Sequence, residues 1–346
     1  MKQLWLYSMR AYLRLGLFFY FKKIKVVNAN RTPKNEPVLF LGNHQNALLD
    51  ALLIATKNGR FTYFLTRASV FSKPIISKIL KNSLMLPVYR VRDGWSNLAK
   101  NKVIFSESSQ LLSENNAIAI FPEGNHNLKR TVRPLSKGFT RIVFETLESY
   151  PNTKLQLVPV GLNFMDATKF GDSITMIFGT PIEVSKEFLS DKHQNVLQLK
   201  ELVSSQLRQL TTHIESENYD EKLKKLEDLN VDFTKPNDVN NCIKSGFENC
   251  KTKKQNQKSV LRLIKTTSRF LLIINLFVPY LIWKKVVQAK IKDIEFISTF
   301  RFAVAITLAP IFIIMVMLIL GFMFHLQFAL LYFLNVIVLA LLSVKL

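Results

Sequence analysis

The chain has 346 residues, enough for one large or two modest domains. Lys and Arg number 47 against 25 Asp and Glu, a formal charge of +22, which excludes an acidic, self-repelling surface and points to an anionic partner. The two cysteines, Cys242 and Cys250, have a spacing that fits no zinc or redox motif, so no metal centre is expected and both read as unpaired bystanders.

Residues 1–25 read as an amphipathic interfacial helix. No acidic residue precedes Glu36, and Lys2, Arg10, Arg14, Lys22, Lys23 and Lys25 are interleaved with Trp5, Leu6, Tyr7, Leu13, Leu17 and Phe18. Cations mixed with aromatics and leucines suit the headgroup layer of an anionic bilayer. A nucleic-acid arm would have no use for Leu15-Gly16-Leu17-Phe18-Phe19-Tyr20-Phe21, so no nucleic-acid partner is expected.

Residues 26–215 read as an α/β domain. Val38–Leu41, Phe61–Thr66, Met85–Val88, Ala117–Phe121, Leu155–Val160 and Ile174–Phe178 are short apolar or β-branched runs of strand length. Leu48–Thr56, Pro74–Lys81, Leu98–Leu112 and Lys137–Leu147 fall between them with helical length and spacing, and Leu197–Ile214 adds an amphipathic helix. This alternation predicts a mixed, largely parallel sheet covered by helices. Residues 216–260 are rich in Lys, Glu, Asp and Asn and read as a charged helical or partly disordered connection.

Residues 261–346 read as a membrane region. From Phe302 to Val344 there is no Asp, Glu, Lys or Arg. A hydrocarbon core about 30 Å thick needs roughly 20 helical residues, so the stretch holds two spans, at about 302–320 and 328–344, turning around Gly321–Gln327. Phe270–Trp283 is shorter, contains Pro279, and reads as re-entrant or interfacial. Lys284, Lys285, Lys290, Lys292 and Arg301 precede the first span and Lys345 follows the second. By the positive-inside rule both ends, and the α/β domain with them, face the cytoplasm of an integral membrane protein.

The chemistry sits at predicted strand ends, where catalytic residues of α/β domains gather. Asn43-His44 leaves the first of these strands, and Asp50 follows six positions after His44. In a continuous helix the two would point to roughly opposite sides, so a contact requires His44 to lie outside the helix, in the turn that Gly42 and Asn43 permit. A carboxylate so placed fixes the imidazole tautomer and stabilises the imidazolium, making His44 a general base. Arg67 and Arg90, each at a strand end, supply planar forks suited to phosphate oxygens, with Arg92 beyond. In Phe121-Pro122-Glu123-Gly124, Gly124 permits a positive φ. Glu123 there is suited to bind substrate hydroxyls, pair with the arginines, or order the loop. Val158-Pro159-Val160-Gly161 reads as a buried strand ending in a glycine.

Taken in order, these four blocks, followed by Phe178-Gly179-Thr180-Pro181-Ile182, resemble the glycerolipid acyltransferase superfamily over about Pro37 to Val184. The resemblance implies that His44 is the base, Asp50 orients it, and Arg90 contributes to acceptor phosphate binding; Arg67, Glu123 and Gly124 stand beside them as substrate-binding candidates from their own positions. It implies a membrane-bound O-acyltransferase of phospholipid biosynthesis. Such an enzyme would need no cofactor, only acyl-CoA or an acyl carrier protein as donor and glycerol-3-phosphate or lysophosphatidate as acceptor. The family's common spacing has four residues between His and Asp, whereas this chain has five. That form, with Pro87-Val88-Tyr89-Arg90 and Asp93, leans toward the branch acting on glycerol-3-phosphate or dihydroxyacetone phosphate. Asn125-His126 replaces the usual Thr-Arg after the third block, so phosphate contacts there would fall to Lys129, Arg130 or Arg133. Direct transfer is expected, since no Ser or Cys lies in a nucleophile-elbow context. Three other readings are a membrane lipid hydrolase that uses water in place of the alcohol acceptor, an acyltransferase for a lyso-aminolipid, and a non-catalytic lipid-binding scaffold that leaves His44, Asp50 and Glu123 without a role.

Overall fold

The structure, a computed structural model, describes residues 2–90, 99–253 and 259–346. Arg92, Asp93 and Gly94 of the second block lie outside them. An eight-stranded sheet forms the centre: β1 (Lys23–Val27), β2 (Val38–Gly42), β3 (Thr62–Arg67), β4 (Met85–Val88), β5 (Ala117–Ile120), β6 (Leu155–Phe164), β7 (Ser173–Phe178) and β8 (Ile182–Val184). Their order is β1-β7-β6-β2-β5-β3-β4, with β8 also pairing with β6. β2 to β6 run parallel to one another, while β7 and β8 are antiparallel to β6. The sheet is mixed and largely parallel, as the alternation predicted, and the parallel strands bring the ends of β2, β3, β4 and β5 to one edge.

Helices cover both faces. On one side α1 (Lys2–Tyr20) and α2 (Ala47–Lys57) pack their Leu17, Tyr20, Leu49 and Leu53 on Phe40, Val158 and Met176 of the sheet. On the other, α4 (Asn101–Ser113), α5 (Gly138–Ser149) and α6 (Lys192–Leu210) bury Ile104, Phe139, Val143 and Val203 against Leu39, Ile118 and Leu157; α3 (Pro74–Asn82) lies between β3 and β4 in the chain. Central strands buried on both faces read as continuous apolar runs, which is why β2, β5 and β6 were legible.

Three sequence expectations about residues 1–215 change. β1 begins at Lys23, inside the segment read as an interfacial arm, because Lys23–Val27 pairs in parallel with Ser173–Ile177. Arg10 and Arg14 of α1 are not turned to headgroups. Arg10 Nε and Nη2 donate to the Ala55 carbonyl at 3.1 and 2.8 Å, and Arg14 Nε to that of Thr56 at 2.9 Å, so both satisfy the orphan carbonyls at the end of α2. The exposed face of α1 is Leu4, Trp5, Tyr7, Tyr12, Leu15 and Phe18. Finally, Gly161 lies inside β6 rather than at its end. A Cβ there would collide with the Leu210 carbonyl where α6 finishes, so the glycine permits close packing of helix on strand.

Residues 211–253 carry α7 (Tyr219–Asp228) and α8 (Pro236–Lys244) around a small core of Ile214, Tyr219, Leu226, Val231, Phe233 and Val239. Cys242 and Cys250, expected to be unpaired, form a disulfide with Cα atoms 4.6 Å apart. The turn after α8, with positive φ at Gly246 and Phe247, folds the chain back so that the two meet.

The C-terminal region holds two helices long and apolar enough to cross a membrane, Ile294–Met323 and Leu326–Lys345. In the first, α11 (Ile297–Met323) runs unbroken through Pro310, and α12 (Leu326–Lys345) begins after the turn at Phe324 and His325. Before them, α9 (Ser259–Asn275) and the helical stretch Phe277–Lys290, which begins with α10 (Phe277–Leu281), are bent by 95° where they meet. The hairpin is rooted in the α/β domain. Phe302 is buried edge-on to Tyr20, Ser298 Oγ donates to the Ala167 carbonyl at 2.7 Å, and Arg301 Nη1 donates to that of Thr168 at 3.0 Å.

In the loop that receives these bonds, burial pushes the Asp172 carboxyl up to about 7, against the hydrogen bonds from the Ser173 and Asp166 N–H groups that favour its ionised form. Its folded pKa lies above the unfolded value, so the stability it contributes is whole below about pH 4 and declines as pH rises toward 7. Asp172→Asn should therefore be more stable than the parent at pH 8, by up to about 4 kcal/mol, with little difference near pH 4. Unfolding of the detergent-solubilised chain at both pH values checks this; an equal effect at both would contradict it.

Candidate active site

The strand β2 delivers Asn43 and His44 to the crowded edge of the sheet. Asn43, buried, exchanges hydrogen bonds with the main chain of Leu162 on β6, its Oδ1 accepting from N at 2.7 Å and its Nδ2 donating to O at 3.1 Å. This anchors the turn, and α2 starts only at Ala47, so His44 stands outside the helix that carries Asp50. The two side chains meet: His44 Nδ1 lies 2.9 Å from Asp50 Oδ2. Asp50 is fully buried, and the same oxygen accepts the Asn46 N–H at 2.7 Å. With Nδ1 donating to the carboxylate, Nε2 is the ring nitrogen left to accept a proton. The His44 ring stacks on Phe121 at 4.1 Å and 11°, which fixes its plane.

Glu123 and Gly124 follow from the end of β5. Gly124 has φ +79°, the left-handed turn anticipated from sequence. Glu123 is engaged by Arg133, whose Nε donates to Oε2 at 2.7 Å, while the rest of that guanidinium bonds to Asn125. Burial raises the Glu123 carboxyl, outweighing the Arg133 guanidinium and the nearby His44, which lower it. Of the three roles open to Glu123, the observed contacts are those of loop ordering.

Two of the three cations expected to serve phosphate are likewise engaged internally. Arg133 holds Glu123, and Arg130, pushed down to about 10 by burial, donates to the Phe164 and Met165 carbonyls at 2.9 and 2.8 Å. Lys129 is exposed over the Tyr219 ring. Arg67 ends β3, exposed, and its charge acts on His126. Arg90 lies two residues beyond the end of the adjoining strand β4, half-buried; the β3–β4 register pairs Arg67 with Val88. The topology thus brings Arg67, Arg90, His44 and Glu123 to the same edge.

Sequence reasoning treated His126 only as a departure from a motif. In the fold its ring lies edge-on to His44, with centroids 5.6 Å apart, and edge-on to Phe296 at 4.4 Å. Burial first, then the neighbouring His44 ring, push it below the usual imidazole range. Phe296 immediately precedes α11, and the Thr299 Oγ1 of that helix accepts the Leu48 N–H at 3.3 Å. The root of the first apolar helix therefore forms one wall of the site. No local signal marks Phe296 or Thr299; only the fold joins them to His44.

Residues 23–163 match the Acyltransferase family model. The chain is similar to glycerol-3-phosphate O-acyltransferase 1 of Saccharomyces cerevisiae, 33% identical over 82 residues, which are 24% of this chain and 11% of the yeast protein. It is also similar to the probable 1-acyl-sn-glycerol-3-phosphate acyltransferase of Mycoplasma pneumoniae, 26% identical over 191 residues, 50% of this chain and 67% of that protein. Among solved structures, the 1-acyl-sn-glycerophosphate acyltransferase PlsC from Thermotoga maritima aligns with TM-score 0.44 and 15% identity over 62% of this chain and 83% of that one. The alignment thus spans only about a tenth of the yeast relative's length. The His44–Asp50 pair, Arg67, Arg90 and Glu123 all fall within the matched segment.

Proposed function

We propose that this chain is a membrane-bound O-acyltransferase that moves a fatty acyl group from an acyl thioester to a hydroxyl of a glycerol phosphate acceptor, glycerol-3-phosphate or lysophosphatidate. The observation that carries the reading is the 2.9 Å contact between His44 Nδ1 and the buried Asp50 carboxylate. His44 Nε2 takes the proton from the acceptor hydroxyl as its oxygen attacks the thioester carbonyl. The tetrahedral intermediate then collapses, the C–S bond breaks, and the departing thiolate takes up the proton, leaving an ester and a free thiol. Asp50 stabilises the transient imidazolium. Arg67 and Arg90 are placed to hold the acceptor phosphate at the same edge of the sheet. Phe296 and the apolar hairpin beside the site let a lipid acceptor and an acyl chain approach from the bilayer without crossing water.

The assay that tests this supplies the purified chain with a labelled acyl thioester and, separately, glycerol-3-phosphate, lysophosphatidate, dihydroxyacetone phosphate and lyso-aminolipids. An acylated glycerol phosphate is the expected product. Acylation of an aminolipid alone would move the acceptor class, and fatty acid release without any acceptor would replace transfer by hydrolysis.

The lysine-rich flanks of the hairpin support a cytoplasmic position for the α/β domain. Cys242 and Cys250 sit close enough to form the disulfide described above, but disulfides are rare in that compartment, so in cells the pair should be held reduced and should close only on oxidation. A membrane-permeant maleimide, applied before lysis and without reductant, is expected to label both. Labelling only after reduction would reverse the orientation.

A further inference from the structure

A second concavity lies outside the His44 edge, on the opposite face of the sheet, between α4, α5 and α6, with a volume of about 550 Å³. Small-molecule sites commonly measure about 300–1,000 Å³. Its floor is apolar and partly aromatic, formed by Phe105, Phe144 and Leu197; its polar side presents Lys102, Lys137 and Arg141. None of these three cations has an ion pair among the described residues. Of the two carboxylates that face the same space, Glu148 is engaged by Lys192, leaving Glu145.

Two hydrogen-bonded links connect the groove's lining to the reacting end of the sheet. Asn101 at its mouth is tied to Tyr89, which precedes Arg90: Tyr89 N donates to Oδ1 at 2.9 Å and Nδ2 donates to the Tyr89 carbonyl at 2.7 Å. Lys137 follows Ser136, whose N–H donates to the Pro122 carbonyl at 2.7 Å, next to Glu123 and to Phe121, the ring that carries His44. Three cations beside aromatic side chains, in a groove linked through Ser136 and Pro122 to the loop that carries Glu123, match a ligand with a flat heterocycle, several phosphates and a long arm.

We propose that this groove binds the nucleotide end of a coenzyme A thioester, with adenine on the Phe105–Phe144 floor, phosphates on Lys102, Lys137 and Arg141, and the pantetheine arm running over the sheet edge to His44. The proposal rests on the acyl-transfer reading and selects the donor that reading left open. An acidic carrier protein would dock on a broad surface and leave an aromatic-floored hollow unused.

The test is calorimetric titration of the full chain, in lipid nanodiscs, with coenzyme A and with 3′-dephospho-coenzyme A. Wild type should bind coenzyme A, and bind the dephospho form several-fold more weakly. The exposed-residue variant K102A/R141A should weaken coenzyme A binding at least tenfold and lose the preference for the 3′-phosphate. Charge reversal in R141E should act in the same direction. H44A should bind as wild type does, so that a failure of the catalytic assignment leaves this result standing, and a failure here leaves the catalytic assignment standing. Undiminished binding by K102A/R141A, or no coenzyme A binding by a wild-type chain that accepts acyl groups from a carrier protein, would overturn the proposal.

Discussion

Replacing His44 with alanine is expected to lower acyl transfer by roughly 10²–10⁴-fold, the span usual for a general base. The loss should fall on kcat with little change in KM for either substrate, because the proton is taken only in the transition state. The fold should survive. His44 is partly exposed, its ring covers Phe121, and its removal leaves Asp50 Oδ2 bonded to the Asn46 N–H. Membrane association, which rests on the apolar helices, should be unchanged in a flotation assay. A variant with full activity would remove His44 from the mechanism.

Asp50→Asn should be nearly as damaging, by about 10²–10³-fold in kcat, for a different reason. The amide retains the size of the carboxylate, and its oxygen can still accept from Asn46 N–H and His44 Nδ1. It cannot supply the negative charge that stabilises the imidazolium. Its NH₂ group would also occupy the position of Oδ1, which is buried without a hydrogen-bond partner among the described residues. An unsatisfied buried donor there costs about 1–3 kcal/mol. Steady-state kinetics together with a melting curve separate the two effects: a large fall in kcat with a modest loss of stability is expected. Loss of stability with wild-type kcat would make Asp50 a structural residue only.

The division between what the sequence revealed and what it concealed follows the range of the contacts. The turn that frees His44 from α2 was legible because Gly42, Asn43 and the apolar run before them are adjacent in the chain. The positive φ of Gly124 was legible for the same reason. The strand β1 was hidden because Lys23-Ile24-Lys25 continues a basic arm in appearance, and its partner, Ser173–Ile177, lies far along the chain. Arg10 and Arg14 looked like headgroup ligands for want of knowing that the end of α2 lies beside them. His126 could have been marked by its place in a glycine turn, yet its contacts with His44 and Phe296 depend on two loops and the root of an apolar helix converging. The cysteine pair depended on a turn with positive φ at Phe247, a conformation that few side chains adopt and that no local pattern announces.

The central claim is direct, His44-dependent transfer at a membrane-rooted site, and single-turnover chemistry tests it most closely. Purified chain in molar excess is mixed with a labelled acyl thioester, first alone and then with glycerol-3-phosphate or lysophosphatidate, and the label is followed by rapid quench. The label should stay on the thioester until the acceptor arrives, then pass to its hydroxyl in the wild type and not in H44A. Label accumulating on the protein, or released as fatty acid before any acceptor is added, would contradict the account.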